Sequence, residues 1–198
     1  MRFVGDYRQL FPDESSLSTD NDYLSKLAIP TPTYFDSVRD FHRQYSSKLK
    51  QFNRSAMPPT TLKSLQKVDN ILKSVDNYLN DYPHNPQRFN VLHGFKRIIN
   101  ADYGTKDYRV QTLLSKLEQV PLFYETAKQR LSKVNRQSAD AAVDQHLATF
   151  LFFEQELSTF LQQNEQIRGA TSTYQPKIEA AKLAIKDYAA YVESFRLN

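Results

Sequence analysis

Apolar residues recur along this chain at alternating steps of three and four, the spacing that gathers side chains on one stripe of an α-helix. Leu62, Leu65, Val68, Leu72, Val75 and Leu79 keep that step, as do Val110, Leu113, Leu117, Val120, Tyr124, Ala127, Leu131 and Val134. A third series runs Val143, His146, Phe150, Phe153, Leu157, Phe160, Asn164 and Ile167. A fourth runs Ile178, Ala181, Ile185, Tyr188, Val192 and Phe195. These predict four long amphipathic helices. Two shorter stripes, Val38, Phe41, Tyr45, Leu49, Phe52 and Phe89, Leu92, Phe95, Ile99, predict two more.

The breaks between stripes carry their own chemistry. Pro58-Pro59 ends one helix, and Thr60 or Thr61 is placed to cap the next with its hydroxyl. Gly104 offers a left-handed C′ residue and Thr105 an N-cap, with Asp107 near the positive helix end. Ser138 reads as a further N-cap, Gly169 as a helix end, and Pro176 as a first-turn proline. Pro121 sits inside a stripe that stays in phase across it, which predicts one kinked helix in preference to two.

The fold expected from this pattern is all-α, an antiparallel bundle of about five to six helices over residues 33–198. Residues 1–32 read as a partly ordered, acidic N-terminal arm in which Phe3, Tyr7, Leu10 and Phe11 can dock on the bundle. Phe150, Phe153, Leu157 and Phe160 are expected at the bundle centre, facing Leu117, Val120, Tyr124 and Ile185.

Composition narrows the function classes. The 198 residues contain no cysteine, which removes disulfides, thiolate metal sites and cysteine nucleophiles together. Four glycines leave little for a phosphate-cradling loop. No stretch approaches the ~18 apolar residues of a membrane span, and the opening residues do not read as a signal peptide.

Candidate chemistry is sparse. His42, His84, His93 and His146 form no His-Glu-x-x-His or Glu-x-x-His motif, so no metal or other cofactor is expected. No Gly-x-Ser-x-Gly elbow or Ser-x-x-Lys motif supplies a nucleophile, and Glu154 and Glu156 point to different sides of a helix. Two seam positions are polar, His146 and Asn164. Together with His42, Tyr45 and Tyr188 they outline a candidate polar pocket within the bundle, against the plainer reading of core groups with satisfied hydrogen bonds. The net charge is +4, and residues 39–73 hold eight Lys+Arg against two acids. No helix-turn-helix, RNP or KH signature accompanies that bias, so nucleic acid is not the expected partner.

Several segments resemble the bacterial domain-of-unknown-function family 885. Leu117-Glu118-Gln119-Val120-Pro121-Leu122-Phe123-Tyr124, with the Gln/Ala-bearing helix to Leu131, is similar to its leucine, isoleucine-proline, aromatic segment. Tyr82-Pro83-His84-Asn85-Pro86-Gln87-Arg88-Phe89-Asn90 resembles its aromatic, Asn-Pro stretch, and Tyr34–Leu79 its opening helical hairpin. The Ala-rich end, Ala180 to Phe195, fits its closing helices. The resemblance spans most of the chain after residue 33.

Family members are much longer, largely helical and often exported or lipoprotein-like. Their later half carries a gluzincin-like His-Glu sequence that implies a zinc peptidase. This chain has no such element, so no catalytic residue carries over. The resemblance implies a non-catalytic helical module binding a protein or peptide partner; the alternative is the cleft-forming part of a zinc peptidase whose metal-bearing half lies elsewhere. It also implies a cell-envelope or periplasmic setting if an export signal has been removed, and a cytoplasmic one otherwise.

Overall fold

A computed structural model of the chain describes residues 3–14, 21–102, 104–164, 167 and 171–196. It is all-α. The helices are α1 (Phe3–Leu10), α2 (Asn21–Leu24), α3 (Pro32–Lys50), α4 (Pro59–Asp81), α5 (Leu92–Ile99), α6 (Lys106–Leu117), α7 (Val120–Lys128), α8 (Arg136–Phe152), α9 (Ser158–Gln162) and α10 (Thr171–Glu193). A π-helical turn, Phe153–Leu157, joins α8 to α9 without interruption.

Ion pairs give the helix directions. Lys182 pairs with Glu154 and Arg196 with Asp140, so α8 and α10 run antiparallel. Lys177 reaches Glu118 just before α7, and Lys128 near its end reaches Asp187, so α7 and α10 run parallel. Arg54 in the turn after α3 bonds Asp69 of α4 and ties the antiparallel α3–α4 hairpin.

The buried apolar residues form two clusters. The larger gathers α5 to α10, and every member of the Val110–Val134 stripe lies in it, as do Ile178, Ala181, Ile185, Tyr188 and Val192. The smaller is built by α1, α3 and α4 around Phe3, Phe11, Phe41, Tyr45 and Leu72. Tyr34, Tyr78 and Leu79 border both. Phe3 meets the Tyr45 ring edge-on at 4.9 Å, so α1 of the arm is packed on the hairpin.

Several features differ from the sequence expectation. The α8 line that faces inward is Ala139, Ala142, His146, Thr149 and Phe153, not the one through Val143 and Phe150. Small residues let α8 lie close to its neighbours, and a reading weighted by large apolar groups passes over them. Phe153 and Leu157 are fully buried, but Phe150 and Phe160 sit half-covered at the edge of the cluster. There the Lys182 ammonium lies 5.5 Å from the Phe150 ring and Lys106 lies 5.7 Å from that of Phe160.

Pro121 does not kink one helix; it separates two. Its missing N–H leaves the Leu117 carbonyl without its helical partner, and α6 ends there. Glu118 and Gln119 remain in the right-handed helical region, so the stripe keeps its phase across the gap.

The caps are mixed. Thr105 accepts from Tyr108 N at 3.2 Å as expected. Gly104 takes φ +72°, in the loop beyond the α5 C-cap Asn100 and not at a C′ position. Asn135, not Ser138, caps α8, accepting from Ser138 N at 2.8 Å. Pro58 occupies the α4 cap without a side-chain bond, so neither Thr60 nor Thr61 serves. Pro176 lies inside α10, which begins five residues earlier at Thr171. Gly169 lies outside the described residues.

Candidate functional site

The five residues of the polar pocket expected from sequence do not converge. His146 and Tyr188 do meet, their rings 4.8 Å apart, and Tyr124 completes a buried trio at 5.5 and 5.0 Å. Tyr45 lies in the other cluster, its hydroxyl donating to Asp6 at 2.5 Å. His42 is half-exposed one turn earlier on α3. Asn164, at the end of α9, donates to Asp107 at 2.8 Å and accepts from Ile167 N at 3.3 Å. Sequence periodicity assigns a residue to a face of its own helix and says nothing of which helices become neighbours.

His146 is held by main chain. Nδ1 lies 2.6 Å from Ala142 O and Nε2 2.9 Å from Phe89 O, while Tyr188 donates to Pro86 O at 3.1 Å. The Tyr188 bond fastens the 86–89 turn to α10. A neutral His146 ring carries one N–H, so one of its two carbonyl contacts is a hydrogen bond and the other becomes one on protonation. Burial pushes the imidazole pKa down, and the two carbonyls oppose that shift. A base whose folded pKa is depressed is protonated first in the unfolded chain, so its contribution to stability is full above the unfolded value and falls below it. Stability should therefore decline as pH drops below ~6.5, the ordinary histidine value, by up to about 1.4 kcal/mol per pH unit from this group. Denaturation midpoints across that range, with His146→Gln flattening the profile, check this.

The most built-up polar feature is one the sequence reading missed. Lys116, on α6, is fully buried. Its ammonium donates to the Asp13 carboxylate, to Leu24 O at 3.2 Å and to Lys26 O at 3.0 Å. All three protons are thereby directed at oxygens, the condition for burying a lysine. Burial lowers its pKa, and the Asp13 charge pulls the other way. Three residues on, Gln119 donates to Ser25 O at 2.7 Å and accepts from Leu27 N at 3.0 Å. The α6 end and the gap before Pro121 thus clasp both described stretches of the arm. A signal existed: position 116 is three after Leu113 and four before Val120, a lysine on an apolar face.

Clasped in this way, Phe11 to Glu14 form one wall of a cleft of about 480 Å³ at the junction of the two clusters. Tyr34, Tyr78, Phe89, Leu92 and Phe123 supply its apolar surface. Arg88, Asn90, His93 and Lys96 supply polar ends from the turn and from α5. Burial raises the pKa of Tyr34 and Tyr78, so both phenols stay neutral, and their hydroxyls hydrogen-bond each other. Among the described residues, no group of three or more His, Asp or Glu is placed to hold a metal ion. The arrangement suits recognition: a concave apolar surface rimmed by donors and acceptors.

No helix among the described residues is long and apolar enough to cross a membrane. No protein-family model and no curated protein matches this chain. Among solved structures, the chain is similar to a candidate lipoprotein of unknown function from Shewanella oneidensis. The two align with a TM-score of 0.82 at 22% identity, over 97% of this chain and 36% of the other. This chain therefore spans about a third of that neighbour's length, and the likeness is one of fold.

Proposed function

We propose that this chain is a non-catalytic helical module that receives a peptide or protein segment in the junction cleft. The observation that carries the reading is the cleft itself, whose volume lies within the ~300–1,000 Å³ of typical ligand sites and whose apolar walls meet convergent polar groups. The similar fold of the neighbour occupies part of a longer chain, which supports a module that works beside further structure. The neighbour's description as a lipoprotein supports a cell-envelope setting for this chain as well.

The test is direct. Crosslinking in the source cell followed by titration of the captured segment should give binding that His93→Glu/Lys96→Glu weakens by about tenfold, as expected when two carboxylates replace a lysine and an imidazole on the rim. Equal binding by the variant, or crosslinks mapping only elsewhere, would refute the site.

A second reading, the wall of a zinc peptidase cleft, rests on the family resemblance and on the neighbour's greater length. It requires that adding this chain raise peptide hydrolysis by a separately supplied metal-bearing part. No rate gain would sink it.

A further inference from the structure

A second cleft, of about 640 Å³, lies between α3 and α4 and shares no lining residue with the junction cleft. Its floor is apolar: Leu49 and Leu72 belong to the smaller cluster, and Phe52 in the turn leaves 40% of its surface exposed. The half-open Phe52 ring thus extends the apolar floor to the mouth of the cleft.

Charge on this hairpin is one-sided. Of the eight Lys+Arg between residues 39 and 73, Arg39 is paired with Asp36, Arg43 with Asp40 and Arg54 with Asp69. Those pairs use both acids of that stretch. Among the described residues, Lys50 and Lys73 line the cleft without an ion pair, facing a single uncommitted carboxylate, Asp76. The unpaired charge of the lining is therefore positive.

We propose that the α3–α4 cleft binds an acidic polypeptide segment that carries an apolar side chain. The apolar group sits on Leu49, Phe52 and Leu72, and its flanking carboxylates meet Lys50 and Lys73. Charge complementarity selects the sign of the occupant, and the apolar floor selects its amphipathic character. A nucleic-acid strand or a lipid surface presents phosphates throughout and would bring them against Asp69 and Asp76. A peptide offers amides and hydroxyls to those carboxylates instead. The cleft is also concave, whereas a bilayer is flat on this scale.

The full chain, panned against a random displayed peptide library, should enrich sequences in which Asp or Glu flank Leu or Phe. Titration of the enriched peptide by fluorescence anisotropy should show binding that weakens several-fold between low and ~0.3 M salt, as a partly exposed charge contact does. Lys50→Glu/Lys73→Glu should weaken it by about tenfold, and Phe52→Ala by a comparable factor. Lys63→Glu/Lys67→Glu makes the same charge change on exposed α4 positions outside the cleft and should alter affinity by less than about threefold. His93→Glu/Lys96→Glu should leave it unchanged, which separates this site from the junction cleft. Enrichment of neutral or basic peptides, no enrichment, or equal loss in both lysine pairs would overturn the proposal. Sedimentation with phosphatidylglycerol vesicles through Lys50 and Lys73, without acidic-peptide binding, would overturn it in favour of a membrane surface.

Discussion

Phe153→Ala should lower the stability of this protein by about 3–5 kcal/mol, the range for deleting a fully buried aromatic ring. Phe153 has no exposed surface and meets the Phe95 ring edge-on at 4.8 Å and the Phe152 ring at 5.8 Å. Truncation removes those contacts and leaves a cavity where three helices meet, and a packed interior closes such a void only in part. The loss is a large share of the ~5–15 kcal/mol that holds an ordinary domain folded. Gln155→Ala, two residues on and exposed, should cost under about 0.5 kcal/mol. Chemical denaturation of the two variants is the measurement. Near-equal midpoints would show that the inward face of α8 has been misassigned.

Asp13→Ala should cost about 3 kcal/mol, the low end for stranding one member of a buried ion pair. The Lys116 ammonium would keep two carbonyl partners but lose its counter-charge. Gly94 makes the prediction sharper. A Cβ at Gly94 would collide with the Asp13 carboxylate, which lies directly over it. Gly94→Ala in the native background should therefore push Asp13 off Lys116 and destabilise the fold. In the Asp13→Ala background the same change meets no carboxylate, and the better helix propensity of alanine should stabilise α5 by up to ~1 kcal/mol. The sign of one substitution thus reverses with the other, the mark of two groups sharing one space. An additive cycle would refute the clasp.

The helical class and most of the core faces were legible because they depend on spacing alone. The Val110–Val134 stripe is buried throughout: Pro121 divides it between two helices whose intervening residues stay in a helical conformation. Leu131 and Val134 are buried from the turn beyond α7, where the predicted helix has already ended. The α10 stripe was equally plain. Where the reading slipped on α8, hydrophobicity was the wrong weight: Ala139, Ala142 and Thr149 face inward because they are small, and Phe150 stays at the edge because a lysine covers it.

The sites were a different matter. His146 and Asn164 were correctly singled out as polar groups inside, yet they serve separate ends of the larger cluster, one beside the 86–89 turn and the other at the start of α6. Lys116 was passed over because, in sequence, a lysine among leucines has the same appearance whether it snorkels to water or is buried. What decides is the arrival of Asp13, 103 positions away along the chain, and of the Leu24 and Lys26 carbonyls, 92 and 90 positions away. Periodicity is a local property, fixed by the geometry of one helix and readable from neighbouring residues. A cleft is made by the docking of elements remote in sequence. Which helices meet is settled by how side-chain volumes and charges fit across the contact, and that fit exists only once the chain has folded.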